Sequence, residues 1–340
     1  MNNKISISIN NIKVVLTILV VYIHFPGPLT WDKYNLGLKS IHSSLDFCSI
    51  SIDILTKVAV PAFFVLSGFL FFKDAFSFEA YKAKINRRVS SLFVPYVLWN
   101  IIPFFIVICL KILGCIIKGN PWGGIVMYIN DTDWLDVFTG YKNAYPLNPV
   151  LWFIRDLMIS AVLSPLVYCI AKRKILFIFA IILFILVPNT FCNIYSYSSF
   201  VYFLIGAFVS TNKLVTLNRS YIFCSIFVCS FLCLLFLGKG MWNNLLFLML
   251  TMSFICLCCI ISQKIDINKN IALVKYSFWI FVTHWIFGQF LPNYDYKVLG
   301  YIGWIYMIIK PLIVIALMIV LYEFLNRYNP CLLKILIGKR

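Results

Sequence analysis

The chain has 340 residues, 62% of them hydrophobic and 12% charged, and its 29 lysines and arginines against 12 acidic residues leave a formal net charge of +17. A soluble domain is about half apolar, so this composition, with a mean hydropathy of +0.93, excludes a water-soluble globular enzyme and indicates an integral membrane protein. A nucleic-acid partner is excluded as well, because no polar segment is long enough to fold a basic soluble face.

Apolar runs of about 20 residues cross a bilayer as helices. Ten such runs are present, at 10–28, 48–72, 90–117, 150–170, 174–190, 194–210, 220–237, 241–262, 274–291 and 302–325. They predict an all-α polytopic bundle of about ten transmembrane helices, forming one membrane domain over 1–340 with no 20–50-residue repeat. An even number of spans puts both termini on one side. Nineteen of the 29 basic residues fall on that side and seven opposite, while Lys111, Arg155 and Lys310 lie inside spans. The excess predicts cytoplasmic termini, a multi-pass protein of the cell (inner or plasma) membrane with lipid around it, and a net charge that mostly reports topology.

The first span carries Lys13 and, eleven residues on, His24. Eleven residues are about three helical turns, so the two share one stripe about 16 Å apart along the axis. Ionisable side chains in membrane helices are costly and mark a pathway or a chemical site. The residues that follow, Phe25-Pro26-Gly27-Pro28, offer no small-residue cleavage site, so the segment reads as a retained span.

The second span contains AVPAFFVLSGFLFF, with Ser67 and Gly68 near its end. Small residues there allow close helix packing, and the aromatic flanks also admit a functional role for Ser67. Lys82, Lys84, Arg87 and Arg88 then lead into the third span. Such a cluster is a positive-inside signal or, more sharply, a phosphate site, since guanidinium groups form paired charge-assisted bonds to phosphate.

The fourth span opens with LWFIRDL. Arg155 can pair with Asp156 or snorkel. Trp152 and Arg155, three apart on one face, could instead stack a sugar and bind its hydroxyls. The ninth span carries YSFWIFVTH, with His284 either a structural donor between helices or part of a site. Trp31, Trp99, Trp122, Trp152, Trp242 and Trp304 lie near span ends, where aromatic belts form. The twelve cysteines lack the spacing of disulfide or zinc sites and read as packing residues, so no metal is expected.

Taken in order, the Lys13-to-His24 spacing and the AVPAFFVLSGFLFF, KINRRVSSLFVPYVLWN, LWFIRDL and YSFWIFVTH runs resemble the acyltransferase 3 family over nearly the whole chain, most closely its branch that O-acetylates surface polysaccharides. The resemblance implies a ten-helix enzyme that takes acyl groups from cytoplasmic acyl-CoA, here acetyl-CoA as donor substrate, and passes them to a carbohydrate hydroxyl outside. By position it implies that His24 is the essential first-span histidine and that Arg87 and Arg88 belong to the basic motif. Many members have Arg where this chain has Lys13, which keeps charge but loses bidentate geometry.

An alcohol attacking a thioester must lose its proton, and histidine is the natural base near neutral pH. His24 is therefore expected to act as base or as acyl carrier, with Arg87, Arg88, Lys84 and Lys13 on the CoA phosphates and Arg155, Ser67 and His284 as candidates for the oxyanion or substrate. A non-enzymatic transporter or flippase of lipid-linked sugars is the alternative, although no matching halves with broken helices are visible. A glycosyltransferase built on Asp131-Thr132-Asp133 fits poorly, since that loop is predicted to lie outside and reads as a solvated turn.

Overall fold

The computed structural model describes residues 3–25, 30, 39, 41–142, 144–186, 194–214, 220–238, 240, 242–264, 272–292 and 301–338. The regular structure among them is helical throughout. The turn at Pro26–Pro28, and Trp31, lie outside the described residues, as does the side chain of Trp304.

α1 (Asn3–Ile23) matches the first predicted span. The second is two helices, α2 (Ser44–Thr56) and α3 (Ala59–Phe71). The break falls at Lys57, whose carbonyl would normally be bonded by the N–H of residue 61; that residue is Pro61, which has none.

The 73–89 connection contains α4 (Phe78–Arg88), begun by Ser77 Oγ accepting from the Ala80 N–H at 3.1 Å. α4 passes through a π-helical turn, Val89–Phe93, into α5 (Val94–Lys118). There the Val94 N–H bonds the Val89 carbonyl, and Pro95 has no N–H for Ser91. The connection after α5 holds two short helices, α6 (Gly123–Asn130) and α7 (Trp134–Thr139).

The fourth predicted span is bent by 66° between α8 (Trp152–Val162) and α9 (Ser164–Lys172), where Pro165 starts the new helix. Then follow α10 (Lys174–Leu186), α11 (Tyr197–Thr211), α12 (Ser220–Leu237), α13 (Asn243–Lys264), α14 (Ser277–Gly288), α15 (Tyr301–Tyr328) and α16 (Pro330–Ile337).

Each predicted span thus contains helix. Among the described residues, six helical stretches are long and apolar enough to cross a membrane singly, or up to seven if the bent α8–α9 pair is one span. α10, α11 and α14, of 13, 15 and 12 residues, are shorter than the roughly 20 residues a full crossing needs. Large apolar side chains such as Ile117, Ile175, Leu237 and Val320 remain on the exterior, the surface expected of a multi-pass membrane protein.

α3 and α11 cross at two glycines. A Cβ on Gly68 would meet the Phe203 backbone and one on Gly206 the Val65 backbone, so only glycine permits this approach. The contact fixes α3 and turns Ser67 away from the crossing. Trp99 does not join an interfacial belt: it is buried, donates Nε1 to the Leu336 carbonyl at 2.9 Å and meets Trp279 edge-on, because α16 folds back over α5.

Candidate active site

A cavity of about 630 Å³ opens beside the middle of α1. Lys13 and Thr17 reach it from α1, one turn apart, with Thr17 Oγ donating to the Lys13 carbonyl at 2.7 Å. Ser67 and Phe71 enter from α3, Lys84, Arg87 and Arg88 from α4, Ser91 from the π turn and Phe281 from α14. The lining also holds Lys73 and Asp74, so five cations face one carboxylate.

Phe71 organises this wall. Lys84 Nζ donates to the Phe71 carbonyl at 2.5 Å and lies 5.2 Å from its ring centroid, while the Arg88 guanidinium is 5.0 Å from the same centroid. Cations held over an aromatic face are favoured by the ring quadrupole. Among the described residues neither Arg87 nor Arg88 is in an ion pair. A space of this size with this excess charge can take a polyphosphate or another polyanion.

His24 follows the last residue of α1, its N–H turned back to the Val21 carbonyl at 3.2 Å. It does not line the basic cavity. Its ring lies against that of His284 on α14, with centroids 5.0 Å apart and planes tilted by 49°. His284 is fully buried, and its Nδ1 is 2.9 Å from the Ile280 carbonyl. A file of rings joins the two places: Phe153 and Phe281 both line the cavity with centroids 5.4 Å apart, and Phe281 is 6.3 Å from His284.

Arg155 and Trp152 are not brought to this cavity. Arg155, 7% exposed, gives Nε and Nη2 to Asp156 Oδ1 at 3.1 and 3.0 Å and Nη1 to the Thr139 and Ala144 carbonyls at 2.5 and 3.3 Å. Asp156, fully buried, uses Oδ2 to accept from the Ser196 N–H at 3.0 Å and from Ser199 Oγ at 2.8 Å. Trp152 sits beside Phe64, centroids 6.5 Å apart. The predicted face of Trp152 and Arg155 is thus divided, because Arg155 turns toward the Thr139 and Ala144 carbonyls while the indole packs on α3.

Four neighbours carried no sequence signal strong enough to single them out. Thr17, Lys73 and Asp74 line the cavity; Thr17 was readable as one turn beyond Lys13 on the same stripe. Lys310, just before Pro311 inside α15, is 2% exposed, with Nζ 4.9 Å from the Phe25 ring centroid and 3.4 Å from the Leu291 and Pro292 carbonyls. Its place inside a span was the available hint.

Fold and site together define a multi-pass helical membrane protein with a basic cavity beside the middle of its first helix and a histidine pair at that helix's C-terminal end. The chain belongs to the acyltransferase 3 family, whose model, described as an acyltransferase domain, matches residues 6–323. It is also 26% identical over 178 residues to the succinoglycan biosynthesis protein ExoH of Rhizobium meliloti (strain 1021), a match covering 51% of this chain and 45% of that protein. The aligned part thus spans less than half of the relative's length. No solved structure matches the chain.

Proposed function

We propose that this protein is a transmembrane O-acyltransferase that moves an acetyl group from cytoplasmic acetyl-CoA to a hydroxyl of a surface polysaccharide or lipid-linked glycan. Its main support is the basic cavity: Lys13, Lys84, Arg87 and Arg88, four residues expected to hold the CoA phosphates, share one wall of one space. Membership of an acyltransferase family fits the chemistry, and the name of the succinoglycan-related protein favours a glycan acceptor. The excess of basic residues on the side of Lys13 and α4 favours the cytoplasm for the donor.

In this scheme the phosphates rest on the cationic wall, and the thioester arm extends past Phe281 toward His24. Neutral His24 takes the proton of the acceptor hydroxyl as its oxygen bonds to the thioester carbonyl carbon. The C–S bond then breaks, and the thiolate takes the proton from the imidazolium, leaving an ester, a free thiol and neutral histidine. In the two-step variant a nitrogen of His24 first holds the acetyl group and the hydroxyl then attacks it. Ser67, on the cavity wall, is available to donate toward the donor.

The test uses purified protein, acetyl-labelled acetyl-CoA and an added glycan. Label should pass to the glycan, and His24→Ala should lower the rate by about 10²–10⁴-fold with membrane insertion intact. Wild-type transfer by His24→Ala would remove His24 from the chemistry. Absence of any transfer, with loss of the whole glycan from cells lacking the protein, would favour the transporter.

A further inference from the structure

The second histidine has a protonation pattern fixed by its own helix. The Ile280 carbonyl can only accept, so a His284 Nδ1 lying 2.9 Å from it carries the proton. In a neutral ring Nε2 is then a bare lone pair, and here it is buried with no hydrogen-bond partner among the described residues. Leaving a buried acceptor unmatched is costly, so such an atom points to a partner engaged in another state or by a small movement.

The surroundings narrow the choice. Two rings are in contact with the His284 imidazole among the described residues, those of Phe281 and His24. Of the two, only the His24 imidazole carries an N–H that can be given to Nε2. Two imidazoles joined by one N–H···N bond of about 2.9 Å have centroids about 5 Å apart, and the observed separation is 5.0 Å. The spacing leaves room for that bond once the His24 ring turns, with His284 still held by the Ile280 carbonyl.

We propose that His284 is a positioning residue for His24: its Nε2 accepts the imidazole N–H of His24, fixing that ring's tautomer and leaving the other nitrogen bare and directed at the acceptor hydroxyl. The proposal rests on the reading of His24 as the base. His284 neither touches the reacting atoms nor gains the proton. It makes one of two equivalent tautomers dominant before the hydroxyl arrives, as the orienting partner does in other histidine-based sites.

Two substitutions separate this role from packing. Asn in place of His284 keeps a donor where Nδ1 lies and removes the Nε2 acceptor; Gln puts an amide oxygen close to the Nε2 position. His284→Asn should lower kcat by about 10–100-fold, the usual size for loss of an orienting partner, with KM for acetyl-CoA unchanged because the basic cavity is untouched. His284→Gln should recover most of that loss. Equal kcat in His284→Asn and wild type, or equal losses in both variants with a raised donor KM, would overturn the proposal.

A measurement on the unsubstituted protein makes the outcome independent of variant folding. The chain has three histidines, His24, His42 and His284, so ¹⁵N-histidine labelling gives few, assignable signals. His284 should show a protonated Nδ1 and a hydrogen-bonded bare Nε2; a protonated Nε2 would sink the assignment. If His24→Ala retains activity, the base assignment fails; if His24→Ala is inactive but His284→Asn is not, only the partnership fails.

Discussion

Two places in this protein use arginine in opposite ways, one buried at Arg155 and one on the cavity wall, where Arg88 is half-buried and Arg87 exposed. Arg155 sits against a carboxylate and two carbonyls, and Asp156 ties it onward to the first turn of α11, so nearly every polar atom has an internal partner. Arg87 and Arg88 face a cavity with one carboxylate for five cations and, among the described residues, make no ion pair. A charge matched inside the protein holds parts together, whereas charge left in excess around an open space is poised for something from outside. By this criterion Arg155 locks the Thr139 and Ala144 carbonyls onto α8 and α11, and the α4 arginines are the ones placed for the donor in the proposed scheme.

The largest effect should come from breaking the lock. Arg155→Met leaves Asp156 with a buried, half-matched charge, a defect that typically costs about 3–5 kcal/mol. The variant should accumulate poorly and melt early in detergent. Arg155→Met with Asp156→Leu removes both charges and should recover part of that loss, a non-additivity expected of partners in contact. A stable Arg155→Met protein that has lost only transfer to the glycan would return Arg155 to a substrate role and dissolve the contrast.

A smaller, purely functional effect is expected at the cavity. Arg87→Gln and Arg88→Gln each remove a charge-assisted hydrogen bond of about 1.5–3 kcal/mol to a charged ligand, which at 1.4 kcal/mol per decade raises KM for acetyl-CoA by roughly tenfold or more each. Melting temperature should hold in Arg87→Gln and fall only slightly in Arg88→Gln, which loses its contact with the Phe71 ring. Since the same residues carry the positive-inside signal, orientation in the membrane is checked by cysteine labelling first. A drop in stability without a change in donor KM would show that these arginines are structural too.

The helical membrane architecture and the basic cluster were legible because both are local: apolar run length reveals helices, and Lys84, Arg87 and Arg88 lie within one and a half turns. Lys13 was legible from cost, a charge where charge does not belong. The break after α2 and the bend after α8 depend on Pro61 and Pro165, whose missing N–H groups leave the apolar pattern undisturbed. The fate of Arg155 depended on Thr139, Ala144, Ser196 and Ser199, partners that adjacent sequence does not reveal. The meeting of His24 with His284 is the extreme case, joining the ends of two helices 260 residues apart. An imidazole at a span end announces polarity, not its neighbour.

The smallest expected effect lies on the outer surface, where a third kind of charge pairing sharpens the contrast. Asp133 caps α7, accepting from the Leu135 and Asp136 N–H groups, and its other oxygen meets Lys142 Nζ and the Tyr141 hydroxyl, both at 2.7 Å. The hydrogen bonds from Lys142 and then Tyr141 hold the Asp133 carboxyl well below the usual carboxylate range. A depressed folded-state value means that its contribution is present above the ordinary value of about 3.9 and fades only as pH falls through the lower one. Amide protection over 131–142, corrected for intrinsic exchange, should therefore persist to about pH 4 in the wild type, where an ordinary aspartate is half protonated. In Lys142→Met it should begin to fade near that pH, because the carboxyl returns toward its usual range. Transfer should be nearly unchanged, since an exposed pair contributes little and this turn adjoins the Arg155 lock without replacing it. Loss of transfer in Lys142→Met would mean that the outer turn takes part in acceptor binding, and the division between locking and receiving charges would need a third class.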